Sequence, residues 1–246
     1  MLTVATRPGG VMDAGYAEGR ARKAHLAFRL RVRAQVVVAA VRRYGPAGPI
    51  RLLEVGAAEG RTLLEMARSL GDGQYVGIEY DDGLRSMHPE LPSNVRLIFG
   101  DAMALPSELG EASFDVVSML ALLEHVRDPL IALAGAWRVL KPGGLLVATC
   151  PNPAWDGIAG RLGMVDGAHH VEQIDLRRLS DLIRQCGFEI LEARRFMWAP
   201  VAVLPYVRIP VSPGGSLRID GVVARIPPLR KLCTNAYVVA RRAPAT

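Results

Sequence analysis

Short, almost continuously apolar segments alternate with helix-like segments along most of this chain. The strand-like segments cover residues 50–55, 75–80, 95–99, 114–120, 145–150, 188–193 and 236–240, and the helix-like segments cover 61–70, 129–140 and 175–186. Strands that are apolar on both faces are typical of a parallel sheet covered by helices on both sides. We therefore predict an α/β fold with a doubly wound, mostly parallel, seven-stranded sheet.

The N-terminal region is predicted to form a helix over residues 19–43, because apolar residues recur there at intervals of three and four. Residues 1–50 hold nine Arg or Lys and two acidic residues, a net charge of +7, in a chain whose total is +6. A basic segment attracts phosphate on a substrate, a nucleic acid or a lipid surface. A solvated helix face has the same composition, so both interpretations stay open.

Composition limits the class of protein further. The three cysteines, Cys150, Cys186 and Cys233, are far apart, which predicts neither a disulfide framework nor a metal site. The N-terminus lacks the charged start and apolar core of a secretory signal, and no run of residues is apolar enough to span a membrane. We therefore expect a cytoplasmic protein.

The strongest local signal is the segment Leu52-Leu53-Glu54-Val55-Gly56-Ala57-Ala58-Glu59-Gly60, in which an apolar strand leads through small residues into a helix. Small residues let the backbone approach a ligand, and the first N–H groups of a helix can hold a negative group. The dinucleotide fingerprint places its third glycine where this chain has Arg61. The spacing counts against an NAD(P)-dependent oxidoreductase, which is kept as an alternative.

The pattern Glu54-x-Gly56-x-Ala58-x-Gly60 resembles the first motif of class I S-adenosylmethionine-dependent methyltransferases, with Ala58 where that family usually has glycine. Later segments are similar to the family in order and placement. They are residues 76–79, which end in Glu79, residues 100–102 with Asp101, and the segments 114–118, 123–126, 137–144 and 170–188. The resemblance covers about residues 50–195.

The resemblance implies a Rossmann-like methyltransferase fold with S-adenosyl-L-methionine as cofactor. It implies methyl transfer to an oxygen, nitrogen or carbon atom of a small-molecule or lipid-like acceptor. In the family, the acid that ends the second strand accepts hydrogen bonds from the ribose hydroxyls, and the aspartate after the third strand meets the adenine amino group. The cofactor-binding residues expected on this basis are Glu54, Gly56, Ala57, Ala58, Gly60, Glu79, Tyr80, Asp101, Ala102 and Met119.

Histidines are the candidate acid–base groups, because histidine titrates near neutral pH. His170 is the first choice and His125 the second, with His169 beside them. Methyl transfer from an activated sulfonium does not require a base, since in-line positioning can supply most of the rate.

We predict one domain over residues 1–246, with an N-terminal helical extension (1–45), a cofactor-binding core (46–195) and a substrate-side insertion (196–233) before the last strand. Residues 1–45, residues 151–172 and the insertion are the segments expected to select the acceptor. The apolar run at 196–211 is predicted to pack over the sheet, to line an apolar pocket, or to touch a membrane surface together with the basic N-terminal helix.

Two further functional classes stay open beside the oxidoreductase. An RNA methyltransferase would suit the basic N-terminus, but Ser118-Met119-Leu120-Ala121 replaces the Asn/Asp-Pro-Pro-aromatic motif of many nucleic-acid methyltransferases. We therefore do not expect a nucleic-acid partner. A binding module that has kept the fold and lost turnover is the other class. The sequence gives no indication of the oligomeric state.

Overall fold

In a computed structural model, which describes residues 14–155 and 172–243, seven strands form one sheet. The strands are β1 (Ile50–Val55), β2 (Gly73–Glu79), β3 (Val95–Phe99), β4 (Phe114–Leu120), β5 (Leu140–Pro151), β6 (Phe188–Trp198) and β7 (Cys233–Arg242). Their order is β3-β2-β1-β4-β5-β7-β6, and all neighbours are parallel except β7, which runs antiparallel to β5 and β6. The predicted fold class is confirmed.

The helices, numbered in chain order among the described residues, cover both faces of the sheet. They are α1 (Ala14–Arg22), α2 (Ala24–Tyr44), α3 (Arg61–Leu70), α4 (Asp82–Ser86), α5 (Pro129–Val139), α6 (Leu176–Gln185), α7 (Ala199–Val203), α8 (Pro213–Val223) and α9 (Pro227–Arg230). Helices α5 and α6 pack on one face, and α2 and α3 pack on the other. Within residues 14–155 and 172–243, no helix is long and apolar enough to cross a membrane.

The central strands are apolar throughout because both of their faces are buried. In β1, Leu52 lies in the core under α2 and α3, whereas Leu53 lies in the core under α5 and α6. Burying one such leucine side chain contributes about 1.5–3 kcal/mol, so each strand stabilises both helix layers. This burial explains why an uninterrupted apolar pattern predicted the strands correctly.

The prediction of a single helix over residues 19–43 is wrong, because the chain forms two helices, α1 and α2, that meet at Lys23. Lys23 has extended backbone angles, and its N–H donates to the carbonyl of Gly19. A Cβ at Gly19 would lie 2.8 Å from Cδ1 of Leu26, so glycine allows α1 to fold back closely on α2. The break therefore turns α1 away from the axis of α2.

The segment predicted as the insertion 196–233 also differs at its start, since β6 continues to Trp198. After β6 the chain forms α7, a 3₁₀ turn (Leu204–Val207), α8 and α9. Proline stands in the first turn of each of these elements, where it needs no intrahelical N–H bond, and its recurrence prevents one long helix. The backbone N–H groups of Met197 and Trp198 donate to the buried carboxylate of Asp220, which attaches α8 to the end of β6.

Candidate functional site

The candidate site lies at the edge of the sheet where β3, β2, β1 and β4 all end. The chain proceeds from β1 to β2 and β3 on one side, then returns to β4 on the other side of β1. A crevice forms at such a switch point, and ligands bind in open α/β sheets outside the carboxyl ends of the strands. The loop 56–60, Glu79 and Asp101 follow three neighbouring strands at this edge.

The loop 56–60 has the left-handed backbone that its small residues allow. Gly56, Ala58 and Gly60 have φ angles of 77°, 48° and 74°. The N–H groups of Gly56 and Ala57 both donate to the carbonyl of Ile78, at 2.9 and 2.8 Å, which fastens the loop to β2. Left-handed backbone costs an alanine about 1–2 kcal/mol, so Ala58 holds a strained conformation where glycine would not.

Glu79 joins the loop after β1 to the turn after β2. Its Oε2 accepts from the N–H of Ala58 at 2.8 Å, and its Oε1 accepts from the N–H of Asp81 at 2.9 Å. A carboxylate oxygen has two acceptor sites, so each oxygen retains one site after these bonds. Glu79 therefore stabilises both turns and can still accept two hydrogen bonds from a vicinal diol.

Asp101 and two aromatic rings lie at the neighbouring strand ends. Oδ1 of Asp101 accepts from the N–H of Met103 at 2.8 Å, and Ala102 is half-buried in the same turn. Tyr80 and Phe99 are 51% and 52% exposed, and their ring centroids are 5.9 Å apart. Exposed rings beside a carboxylate offer an apolar surface and a polar acceptor to a flat heterocycle.

Two of the expected cofactor residues have buried side chains. Met119 is fully buried in the core under α5 and α6, so its side chain does not line the site. Ala57 is also buried, and a Cβ at Gly77 would lie 2.7 Å from the Cβ of Ala57. Glycine at 77 lets the loop pack closely on β2, a requirement that the sequence analysis missed.

Helix α1 crosses this loop and brings a cation to it. Ala17 packs against Ala58. The Arg20 side chain is only 10% exposed; its Nη2 donates to Oγ1 of Thr62 at 2.6 Å, and its Nε lies 3.2 Å from Oε1 of Glu59. The interpretation of the N-terminal arginines as a purely solvated face is therefore wrong for Arg20. Helical spacing could not reveal this contact, because the partners are distant in the sequence.

Glu54 lies beneath the loop and is 2% exposed. Burial raises the pKa of its carboxyl group to about 8; Arg20 opposes this effect, and the carboxylates of Glu59 and Glu79 add to it. Its Oε2 has no hydrogen-bond partner among the described residues. A buried carboxyl group with an unused oxygen suits a cationic ligand group, such as the ammonium of the methionine part of S-adenosylmethionine.

The end of β4 forms the other wall of the crevice. Ala121 has a φ of 53°, and its N–H donates to both the carbonyl and Oγ1 of Thr149 on β5. The next turn, Leu123–His125, brings His125 to the same edge of the sheet, where it is half-buried. His169 and His170 lie outside the described residues, so their roles stay predictions.

A cavity of about 170 Å³ lies elsewhere, between α2, α8 and the middle of β6 and β7. Its central carboxylate, Glu192, accepts from the hydroxyl of Tyr237 at 2.6 Å and from that of Tyr44 at 3.0 Å. Arg194 also pairs with Glu192 at 2.9 Å. These groups satisfy one another, and the cavity is separate from the ends of β1, β2 and β3.

Comparison with known proteins shows what the middle of the chain is similar to. Residues 53–148 match the family described as a methyltransferase domain. A demethylmenaquinone methyltransferase from Staphylococcus aureus (strain MRSA252) is 35% identical over 102 residues, which cover 40% of this chain and 42% of that enzyme. The matched region thus spans less than half the length of the curated relatives.

Solved structures share the whole fold. A chain from a complex of the Haloferax volcanii Trm112 methyltransferase activator has a TM-score of 0.65 and 15% identity, covering 95% of both chains. A SAM-dependent methyltransferase from Thermotoga maritima has a TM-score of 0.61 and 19% identity, covering 93% of this chain and 94% of that one. At these identities the likeness demonstrates the fold alone. Residues 53–148 are therefore similar to a methyltransferase domain, and the described chain has the fold of these solved structures.

Proposed function

We propose that this chain transfers a methyl group from S-adenosylmethionine to an apolar, ring-containing small molecule of the quinone class. The observation that carries the proposal is the meeting of the loop 56–60, Glu79 and Asp101 at three neighbouring strand ends, within the matched methyltransferase domain. The name of the Staphylococcus aureus relative supports the acceptor class.

The nucleoside half of the cofactor fits the carboxylates and rings of β2 and β3. The two unused acceptor sites on Glu79 match the two ribose hydroxyls, and the second oxygen of Asp101 is suited to the adenine amino group. The exposed rings of Tyr80 and Phe99 are suited to the faces of adenine. This arrangement supports a nucleoside ligand with a free ribose diol.

The methionine half fits the loop and the charges below it. Glu54 would hold the ammonium group through its unpartnered Oε2, and the first N–H groups of α3 would face the carboxylate. No side chain caps the start of α3 at Gly60, and of its first N–H groups that of Leu63 bonds to Glu54. Arg20 adds positive charge at the same end of α3.

The cofactor, once bound, supplies a sulfonium whose methyl group is already activated for attack. The contribution of the protein is then to hold donor and acceptor in line and to exclude water, which can account for most of the rate. His125 at the edge of β4, and His170 in the segment beyond β5, are the candidates for taking a proton from the acceptor.

Two alternative functions make different predictions about ligand binding. An oxidoreductase should bind NAD(P) at the same loop, and an RNA methyltransferase should bind RNA in a strongly salt-dependent way. Neither finds specific support, because the matched family is a methyltransferase domain and the named relative is a demethylmenaquinone methyltransferase.

The test is a transfer assay with cofactor that carries a radioactive methyl group. The chain is incubated with a hydroquinone that bears a short isoprenoid tail, with a hydrophilic amine and with RNA, and label is counted after extraction. We expect label in the organic phase only with the hydroquinone, and much less of it with Glu79→Ala at a subsaturating cofactor concentration. Label in RNA, or label in none of the three acceptors despite cofactor binding, would reject the proposed acceptor.

A further inference from the structure

Residues 199–232, called here the outer segment, expose an unusual number of large apolar side chains. Val207 and Val222 are 63% and 60% exposed. Val203, Ile209 and Ile226 are also exposed, at 41% or more. Apolar residues scattered singly on a surface are ordinary, but several within one segment indicate a surface that meets an apolar partner.

The charges of the outer segment have one sign. Its exposed cations are Arg208, Arg218, Arg225, Arg230 and Lys231, and its one acidic residue, Asp220, is 5% exposed. The outer segment therefore presents positive charge and apolar side chains together, without an exposed carboxylate of its own. In α8 and the turn after it, Arg218, Val222 and Arg225 recur at intervals of four and three, which puts them on one face.

The fold holds this surface in place. Asp220 accepts from the N–H of Met197 at 2.8 Å and from that of Trp198 at 2.9 Å, which ties α8 to β6. The ring of Tyr206 stacks on His25 at the start of α2, with 4.0 Å between ring centroids. Lys23, exposed two residues before His25, extends the positive charge onto the N-terminal helices.

The outer segment also begins and ends beside the candidate site. It leaves the sheet after Trp198 and returns at Cys233, and these two residues are paired partners in β6 and β7. Pro151, at the carboxyl end of β5, pairs with Asn235 of β7. Both ends of the outer segment therefore lie at the edge of the sheet where the strands present the site.

We propose that the outer segment binds the surface of an anionic lipid bilayer and so brings the site to an acceptor dissolved in the membrane. The apolar side chains would enter the boundary between headgroups and acyl chains, while the arginines meet the lipid phosphates. The role in acceptor delivery rests on the proposed function, but membrane binding itself does not. A nucleic acid is a poorer match, because exposed valines and isoleucines gain nothing from phosphates.

The test is co-sedimentation of the full chain with vesicles of phosphatidylcholine alone and of phosphatidylcholine mixed with phosphatidylglycerol. We expect binding to the mixed vesicles at about 0.1 M salt, much weaker binding at about 1 M salt, and weak binding to phosphatidylcholine alone. Replacing Arg208 and Arg218 by serine should lower the partition coefficient about 25-fold, since each arginine near an anionic surface contributes about fivefold. The control is the same double replacement at Arg68 and Arg177, which are exposed on other helices.

Apolar contact is tested by Val207→Ser/Val222→Ser, which should lower the partition coefficient at least about tenfold. Its control, Leu130→Ser/Ile131→Ser, changes two exposed residues of α5 on the other face of the sheet and should bind like the native chain. Thermal unfolding of each variant checks that it has folded. Absence of vesicle binding by the native chain, or equal losses in variants and controls, overturns the inference.

A further measurement separates this inference from the proposed function. Calorimetric binding of S-adenosylmethionine should be unchanged in the outer-segment variants. If the cofactor fails to bind while vesicles still bind, the proposed function is wrong, but the proposal that the outer segment binds membranes is supported. RNA is tested as a competitor. If RNA displaces the vesicles and binds Val207→Ser/Val222→Ser with the same affinity as the native chain, the outer segment binds nucleic acid and the membrane proposal is wrong.

Discussion

Replacing Glu54 by glutamine tests the electrostatics beneath the loop. The carboxyl group is buried, and its pKa in the folded chain is raised from 4.5 to about 8, chiefly by burial. In the unfolded chain the group ionises near pH 4.5. Between these two values the unfolded state binds fewer protons than the folded state, so the folded state loses stability as pH rises. Glutamine has the shape of the protonated acid and does not titrate.

The magnitude follows from the pKa difference. At 1.36 kcal/mol per unit of pKa, the native chain should lose about 1.4 kcal/mol of unfolding free energy, relative to Glu54→Gln, for each pH unit between about 4.5 and about 8. The full difference is about 5 kcal/mol. Below about pH 4.5 the two proteins should be nearly equal, because glutamine and the protonated acid make similar contacts.

The assay is urea unfolding, followed by circular dichroism, at several pH values between about 5 and about 8. Glu90→Gln, at an exposed carboxylate, is the matched control for loss of one acidic side chain. We expect the variant to become progressively more stable than the native chain as pH rises. Parallel stability curves for the native chain and Glu54→Gln would refute the argument, since they would mean that burial does not disfavour the ionised form.

Three further predictions concern stability measured by urea unfolding. Ala58→Gly should leave stability unchanged or raise it by up to about 1.5 kcal/mol, because relief of left-handed strain (about 1–2 kcal/mol) is partly offset by the greater freedom of unfolded glycine (about 0.5–1 kcal/mol); a large loss would contradict the observed φ. Arg20→Met should cost up to about 3 kcal/mol, because buried Glu59 loses the nearer of its two cations and keeps only Arg61 at 3.9 Å, and adding Glu59→Gln should recover part of that loss. Asp220→Ala should cost about 2–4 kcal/mol, because it leaves two backbone N–H groups unpaired, and should also make residues 199–232 more sensitive to protease; unchanged cleavage would argue against the anchoring role.

Much of the sheet could be predicted from the sequence, because strands that are buried on both faces consist almost entirely of apolar residues. The limits of β1, α3, β3 and β4 agree with the prediction residue for residue. The strand ends with Glu79 and Asp101 were also found, since parallel topology brings carboxyl ends together wherever the strand order reverses. Local pattern and topology were sufficient for these parts.

The contacts made by α1 could not be predicted in the same way. Periodicity assigns a helix to the N-terminal region, but it does not indicate where a turn of that helix folds back, nor which arginine becomes buried. Arg20 reaches Glu59 and Thr62 only because the chain breaks at Lys23 and packs across the loop. Such contacts depend on tertiary packing between segments far apart in the sequence.

The central claim is that a nucleoside with a free ribose diol binds where the loop 56–60, Glu79 and Asp101 meet. Calorimetric titration of S-adenosylmethionine into the native chain and into folded Glu79→Ala tests this most directly. We predict saturable binding of one cofactor per chain, weakened in the variant by about 1–3 kcal/mol, or about 5- to 150-fold. An absence of binding heat with the native chain, or equal affinity in the two proteins, would contradict the account.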